Sequence, residues 1–334
     1  MNVFNVKYNV YTKKNSKTSF IVIGDLHGWI SNEQIYKVVE NINDQNPDII
    51  LIAGDILTES YRWLQRKPIE RLQKLMKYLT ESGADVVTVL GNHDTHFMSE
   101  ELLKQYLSLG DIERVHPLHN TSVDLEKNGE SIHVAGLVTD PIDGVTAVTN
   151  RVAKKNGIDQ RPQRIIKTLE PIIDLNPDQI NILLAHDPRQ LRMPEVDEAT
   201  KEFDVRLAAH IHNGYLPFKA TTKDQKYLDQ DWAHYLFLGI PKLKERNFAR
   251  GVAYGNRNFY VLCTQTNNYY LVKYNKEIGD NEYSKITIDE AIAIIKNYNL
   301  TPSIITGGIN RYVGMPIEGS EVTSFELKST EKTL

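Results

Sequence analysis

The sequence predicts an α/β fold built on a mostly parallel sheet. Three observations carry that expectation. Short β-branched runs such as Ser19–Gly24 (SFIVIG), Asp48–Ala53 (DIILIA) and Asp85–Leu90 are almost wholly apolar, as strands covered on both faces must be. Stretches with helical spacing of apolar residues lie between them. The resulting strand–helix–strand–helix–strand order is that of right-handed crossover units, whose strands lie parallel.

The first helix starts near Ser31-Asn32-Glu33, which offers a cap, and Ile35, Val38, Val39 and Ile42 recur at helical spacing. Pro68 suits the first turn of a second helix, where its missing N–H costs nothing, and Leu72, Leu75, Met76 and Leu79 continue the stripe. Gly83 ends it. Strands are expected at Ile112–Val115 and Ser131–Leu137. The polar stretch Asp140–Pro162 reads as a long excursion, and Gln163–Leu169 begins another helix. Asn181–Ala185 and Phe203–Ala209 are again apolar enough to be buried strands. Gly251–Tyr254 and Asn258–Cys263 form an expected antiparallel pair around Gly255-Asn256-Arg257. After Thr264 the character changes: Tyr269, Tyr270, Tyr274 and Tyr283 accompany a strand-like stretch, Ile288–Tyr298 carries a helix, and the tail from Gly319 is polar. The expected organisation is a catalytic domain over residues 1–264 and a C-terminal extension over 265–334 packed on it.

Composition narrows the setting. The 334 residues are 41% hydrophobic and 25% charged, with a formal net charge of −4. That charge gives no general pull toward nucleic acid or acidic membrane, so a polyanionic substrate would have to be drawn locally. A single cysteine, Cys263, excludes an intramolecular disulfide. No apolar run approaches the roughly 18 residues of a membrane span, and the lysine-bearing first residues lack the apolar centre of a signal peptide. A soluble, cytoplasmic protein without a membrane span is the expectation.

The chemistry lies in five polar clusters at strand ends: Gly24-Asp25-Leu26-His27-Gly28, Gly54-Asp55, Gly91-Asn92-His93-Asp94, Ala185-His186-Asp187 and His210-Ile211-His212-Asn213-Gly214. In open α/β sheets, sites form beyond the carboxyl ends of strands, so the fold would gather these side chains at one edge. Carboxylate, amide oxygen and imidazole together suit Mn, Fe, Zn, Ni or Co, with manganese the metal expected to serve in vitro. Two adjacent cations would hold a phosphate and activate water, the chemistry of a phosphoester hydrolase. Asp or Asn beside Gly is, taken alone, most often a turn device. Five such clusters in order, together with three histidines after buried strands, outweigh that explanation. His116, His119, His133 and His234 read as surface or packed residues.

The order Asp-x-His, Gly-Asp, Gly-Asn-His-Asp, His and His-x-His resembles the calcineurin-like metallophosphoesterase superfamily, over roughly Phe20–Cys263. The resemblance implies an αββα sandwich of two mixed sheets flanked by helices. It implies that Asp25, His27, Asp55 and His212 hold one divalent transition metal ion, and that Asp55, Asn92, His186 and His210 hold a second. It further implies in-line attack on phosphorus by a hydroxide between the metals. His93 would serve as acid or charge stabiliser, with Asp94 orienting its ring. His96 and Arg189 are candidate substrate contacts. Ala209 stands where the family commonly has glycine, a change of little cost if φ there is negative. The function expected is a phosphodiesterase acting on a nucleotide, nucleic acid or small phosphodiester. A nuclease on the same core is the alternative, with a lipid-linked pyrophosphate hydrolase or an inert scaffold behind it. The loops expected to set specificity are Thr58–Lys67, Asp140–Pro162 and Pro217–Ala249. The sequence names no protein partner.

Overall fold

The computed structural model describes residues 2–26, 32–56, 68–95, 100–138, 161–191, 193–209, 251–255, 259–264, 267–275, 280–305 and 319–331. Two mixed β-sheets with helices make up the described chain. Its strands are β1 (Asn2–Thr12), β2 (Phe20–Ile23), β3 (Ile49–Ala53), β4 (Asp85–Val89), β5 (Val115–Pro117), β6 (Ser122–Lys127), β7 (Glu130–Leu137), β8 (Ile180–Ala185), β9 (Val205–Ala208), β10 (Gly251–Gly255), β11 (Phe259–Thr264), β12 (Tyr269–Asn275), β13 (Asp280–Ile286), β14 (Pro302–Ile305) and β15 (Gly319–Ser329). Its helices are α1 (Asn32–Asp44), α2 (Pro68–Thr80), α3 (Asn92–Thr95), α4 (Glu100–Leu107), α5 (Arg161–Leu169), α6 (Pro188–Leu191), α7 (Pro194–Ala199) and α8 (Ile288–Asn297).

Strands β2, β3, β4 and β5 run parallel, with β15 antiparallel against β2 and β1 on the outer side of β15. The other sheet has the order β13-β12-β11-β10-β14-β9-β8-β7-β6; β7, β8, β9 and β14 run parallel, and the rest pair antiparallel. Every residue of β2, β3, β4, β8 and β9 is buried, which is why these runs carry no polar alternation. The sheets approach closely at Gly136. A Cβ there would sit 2.5 Å from Leu118 Cβ and 2.9 Å from Val89 Cγ1. On the other face of the second sheet, Ala135, Leu137, Leu183, Ala185 and Ala208 pack against Ile165 and Leu169 of α5 and Val196 of α7.

The strand expected at Ile112–Val115 begins only at Val115. A 3₁₀ turn occupies Ser108–Asp111, and Arg114 has a φ of 66°; a left-handed residue there stops extended pairing from starting sooner. The residues after 264 enter both sheets. β12 and β13 extend the second sheet, β14 lies between β10 and β9, and the polar tail from Gly319 is β15. Two contacts hold that part in place. Arg206 on β9, 1% exposed, reaches Asp197 at 2.5 Å, Ser303 Oγ at 3.1 Å and the Thr301 carbonyl at 3.5 Å. Phe325 stacks on Phe20 with ring centroids 5.0 Å apart. The loops 58–67, 140–160 and 217–249 lie outside the described residues.

At the amino ends of the parallel strands, away from the polar clusters, Asp85 receives Lys127 of β6 at 2.6 Å and His116 of β5 at 2.8 Å. Burial works against the ionised Asp85, but these hydrogen bonds and charges outweigh it and hold its pKa below the usual carboxylate value.

Candidate metal centre

Asp25 and Asp55 each stand two residues past a strand end, behind a glycine, and both have a φ of 52°. The same left-handed turn is thus built twice. Aspartate tolerates it better than most residues. The Asp25 N–H donates to the Gly54 carbonyl at 3.1 Å, which ties the two turns together.

Glycine is needed at two positions by close approach. Gly54 has a φ of +83°, and a Cβ there would lie 2.7 Å from the Gly91 nitrogen and 2.9 Å from His186 Nδ1. A Cβ on Gly91 would lie 2.2 Å from Asp55 Oδ1. The Asp55 side chain therefore fills the space above Gly91. In the same cradle the His93 N–H donates to Asp55 Oδ1 at 2.9 Å.

His186 comes from the end of β8 in the other sheet. Its Nδ1 lies 2.7 Å from the Ala53 carbonyl, which can only accept, so Nδ1 carries the hydrogen. Its Nε2 then faces Asn92 Oδ1 at 3.0 Å and Asp55 Oδ2 at 3.1 Å. A bare lone pair would be repelled by two such oxygens, so Nε2 must bear a proton or share a cation with them. Burial works against a charged imidazole, yet the carboxylates of Asp55 and Asp25 and the Ala53 carbonyl push the His186 pKa up to about 9.

Asp25 and Asp55 are fully buried, and His186 is 3% exposed. One ligand atom from each lies within 4.8 Å of the others. Two buried carboxylates this close are costly without a counter-charge, and one imidazolium balances only one of them. A divalent cation would offset the rest, and carboxylate, amide oxygen and imidazole are the donors such a cation takes. The residues therefore fit the metal ions that the sequence suggests.

Of the residues singled out from sequence, the fold brings Asp25, Asp55, Asn92, His93, Asp94 and His186 together, from strand ends in both sheets. Asn92 is exposed and His93 half-buried, so the cluster opens to solvent on that side. Asp94 is 2% exposed, and its Oδ2 accepts the backbone N–H groups of Gly91 and Ile56. His27, His96, His210 and His212 lie outside the described residues; Arg189 falls in α6, but its side chain is not among those described. Asp187 opens α6, its carbonyl accepting the Gln190 N–H at 3.2 Å. Ala209 is not among the described residues with positive φ, so its methyl group stands where glycine is common without backbone strain. The partners that sequence reading missed, the Ala53 carbonyl and the Ile56 and Gly91 amides, are main-chain groups with no residue-type signal.

The chain is similar to several known proteins. A metallophosphoesterase of Caenorhabditis elegans is 27% identical over 212 residues, covering 62% of this chain and 39% of its own length. An uncharacterized metallophosphoesterase of Helicobacter pylori is 25% identical over 239 residues, covering 69% of this chain and 53% of its own. The chain thus spans about half, or less, of the length of these relatives. Among solved structures, a dimetal phosphatase from Danio rerio is similar at 14% identity and a TM-score of 0.37, covering 59% of this chain and 82% of that one. The profile of calcineurin-like phosphoesterases matches residues 18–214, more than half of the sequence, and the match runs from the strand before Asp25 to just past His212. With its turn-borne aspartates and strand-end histidine inside that span, this chain belongs to the calcineurin-like phosphoesterase family.

Proposed function

We propose that the chain hydrolyses phosphodiesters with two divalent transition metal ions. The observation that carries this reading is the convergence of Asp25, Asp55 and His186 from strands of both sheets to within 4.8 Å, all buried. Asp55 Oδ2, Asn92 Oδ1 and His186 Nε2 would hold one ion, with His210 completing the set from its motif position. Asp25 and Asp55 would hold the other, together with His27 and His212. When bound, such ions polarise a phosphoryl oxygen and make water acidic enough to act as a nucleophile near neutral pH.

The chain's own residues do the rest. The Ala53 carbonyl fixes the tautomer of His186, so Nε2 is the nitrogen presented to the site. The His93 amide holds Asp55 Oδ1, which leaves Oδ2 facing His186 and Asn92. The His93 side chain, half-buried beside Asn92, stands where solvent and substrate reach the cluster. It serves as the proton or hydrogen-bond donor to the leaving oxygen, a role worth about 10²–10⁴-fold in rate. A diester suits this arrangement, because its alkoxide leaving group needs a proton and the His93 side chain can supply it.

The test is hydrolysis of bis(p-nitrophenyl) phosphate against p-nitrophenyl phosphate, with Mn, Ni, Co, Fe or Zn added to chelator-stripped protein. The reading expects metal-dependent turnover, faster on the diester. Inertness with every metal on both esters would sink it, and preference for the monoester would overturn the diester assignment alone.

A further inference from the structure

The parallel ladder between β3 and β4 ends at the pair Ala53–Val89. Asp55 and Asn92 both lie past that point, where sheet hydrogen bonding no longer sets their separation. There the two chain segments are joined through side chains. The His93 N–H reaches Asp55 Oδ1 at 2.9 Å. Asp94 Oδ2 accepts the Gly91 N–H at 2.8 Å and the Ile56 N–H at 3.1 Å. Gly91 immediately precedes Asn92, and Ile56 immediately follows Asp55.

The Gly91 bond alone has a local explanation. A side chain that reaches back to the amide before its own helical turn is half of a capping box, and the Thr95 N–H and Oγ1 close the same turn by donating to the Gly91 carbonyl at 3.0 Å each. The Ile56 bond has no such explanation. It leaves the turn and grips the neighbouring strand end 38 residues earlier in the chain. It also uses the same oxygen, so one buried atom ties both segments at a single point.

We infer that Asp94 is a positioning residue: it holds the loop after β3 against the loop after β4 and so sets the spacing between Asp55 and Asn92, and with it the spacing of the two metal ions. The inference rests on the dinuclear reading above. It assigns Asp94 to the backbone amides through its role as a hydrogen-bond acceptor. Its charge is secondary, because a carboxamide oxygen in the Oδ2 position can still accept both amides, though less strongly than a carboxylate. Geometry and charge therefore separate in two variants. Asp94→Asn keeps the acceptor and removes the charge. Asp94→Val leaves a branched apolar side chain of shorter reach and removes the acceptor.

The experiment is Mn²⁺ titration of the full chain followed by electron paramagnetic resonance, with activity on bis(p-nitrophenyl) phosphate read in parallel. The parent protein and Asp94→Asn are expected to show the signal of an exchange-coupled manganese pair. In Asp94→Val the coupled signal gives way to isolated manganese, and affinity falls by about ten- to hundredfold, the usual effect of losing a group that orients a ligand. Should Asp94→Val fail to fold, Asp94→Ser, whose hydroxyl is too short to reach Ile56, takes its place with the same expectation. A coupled pair of parental affinity in the valine or serine variant overturns the inference. So does loss of the pair in Asp94→Asn, because charge would then be what matters. Absence of a coupled pair in the parent protein itself strikes the dinuclear reading, and the inference falls with it.

Discussion

A methyl group on Gly91 is the smallest change that reaches the site without replacing any proposed ligand. Gly91 is not among the glycines with positive φ, so alanine brings no backbone strain and the effect is purely steric. The new Cβ would stand 2.2 Å from Asp55 Oδ1 and 2.4 Å from the Asp55 nitrogen, whereas real Cβ atoms essentially never come closer than 3.0 Å. The Asp55 carboxylate must therefore retreat by about 0.8 Å, and its amide is main chain that cannot rotate away. Overpacking of this kind costs about 1–3 kcal/mol of stability. Displacing a group that positions the reacting centre by about 1 Å costs on the order of 100-fold in rate. Gly83→Ala is the control. Gly83 has a φ of +84° with nothing within 4 Å of its would-be Cβ, so alanine there is strained but meets no neighbour. The assay is metal content after dialysis, melting temperature and kcat/KM on bis(p-nitrophenyl) phosphate for both variants. Gly91→Ala should lose metal and activity together, and Gly83→Ala should lose only stability. A Gly91→Ala protein with two metals and unchanged kcat/KM would refute the cradle argument.

Other outcomes follow from the same geometry. In chelator, Asp25→Asn should raise the melting temperature while weakening Mn binding, because Asp25 and Asp55 atoms within 4.8 Å repel by about 3 kcal/mol at an effective dielectric of roughly 20, a cost that His186 offsets only in part; a lower melting temperature in chelator contradicts this. His93→Ala should slow diester hydrolysis by about 10²–10⁴-fold with metal content unchanged, and an unchanged rate removes His93 from the chemistry. Asp85 has its pKa depressed in the folded state, so the stability it adds is present above its ordinary value of 3.8 and is lost as the pH falls through the depressed value. In urea titrations with chelator present, the advantage of the parent protein over Lys127→Met should be full at pH 7 and shrink below about pH 4; an advantage independent of pH rules out the ion pair as its source.

How much of this was legible in the sequence depends on what each strand faces. β2, β3, β4, β8 and β9 were readable because strands buried on both faces are mostly apolar, and α1, α2 and α8 because their stripes repeat at helical spacing. β1 and β15 were not. Asn2–Thr12 alternates Val, Tyr and Asn with little net apolarity, and its partner in the sheet is Gly319–Ser329, at the other end of the chain. No local pattern records a pairing between segments that far apart. β14 is four residues long and was hidden for the same reason, its place beside β9 being fixed by the buried Arg206. At the site, Asp25, Asp55, Asn92 and His186 were legible as residue types behind strand ends. The geometry that joins them was not. Two left-handed aspartates, a carbonyl that fixes a tautomer and a carboxylate that grips two amides are main-chain relations, and they exist only once both sheets have formed.

The most direct measurement is anomalous diffraction from crystals grown with manganese. Two peaks about 4 Å apart are expected, one against Asp25 and Asp55 and the other against Asp55, Asn92 and His186. A single peak, or none, beside those side chains in a crystal with manganese in excess would contradict the dinuclear reading.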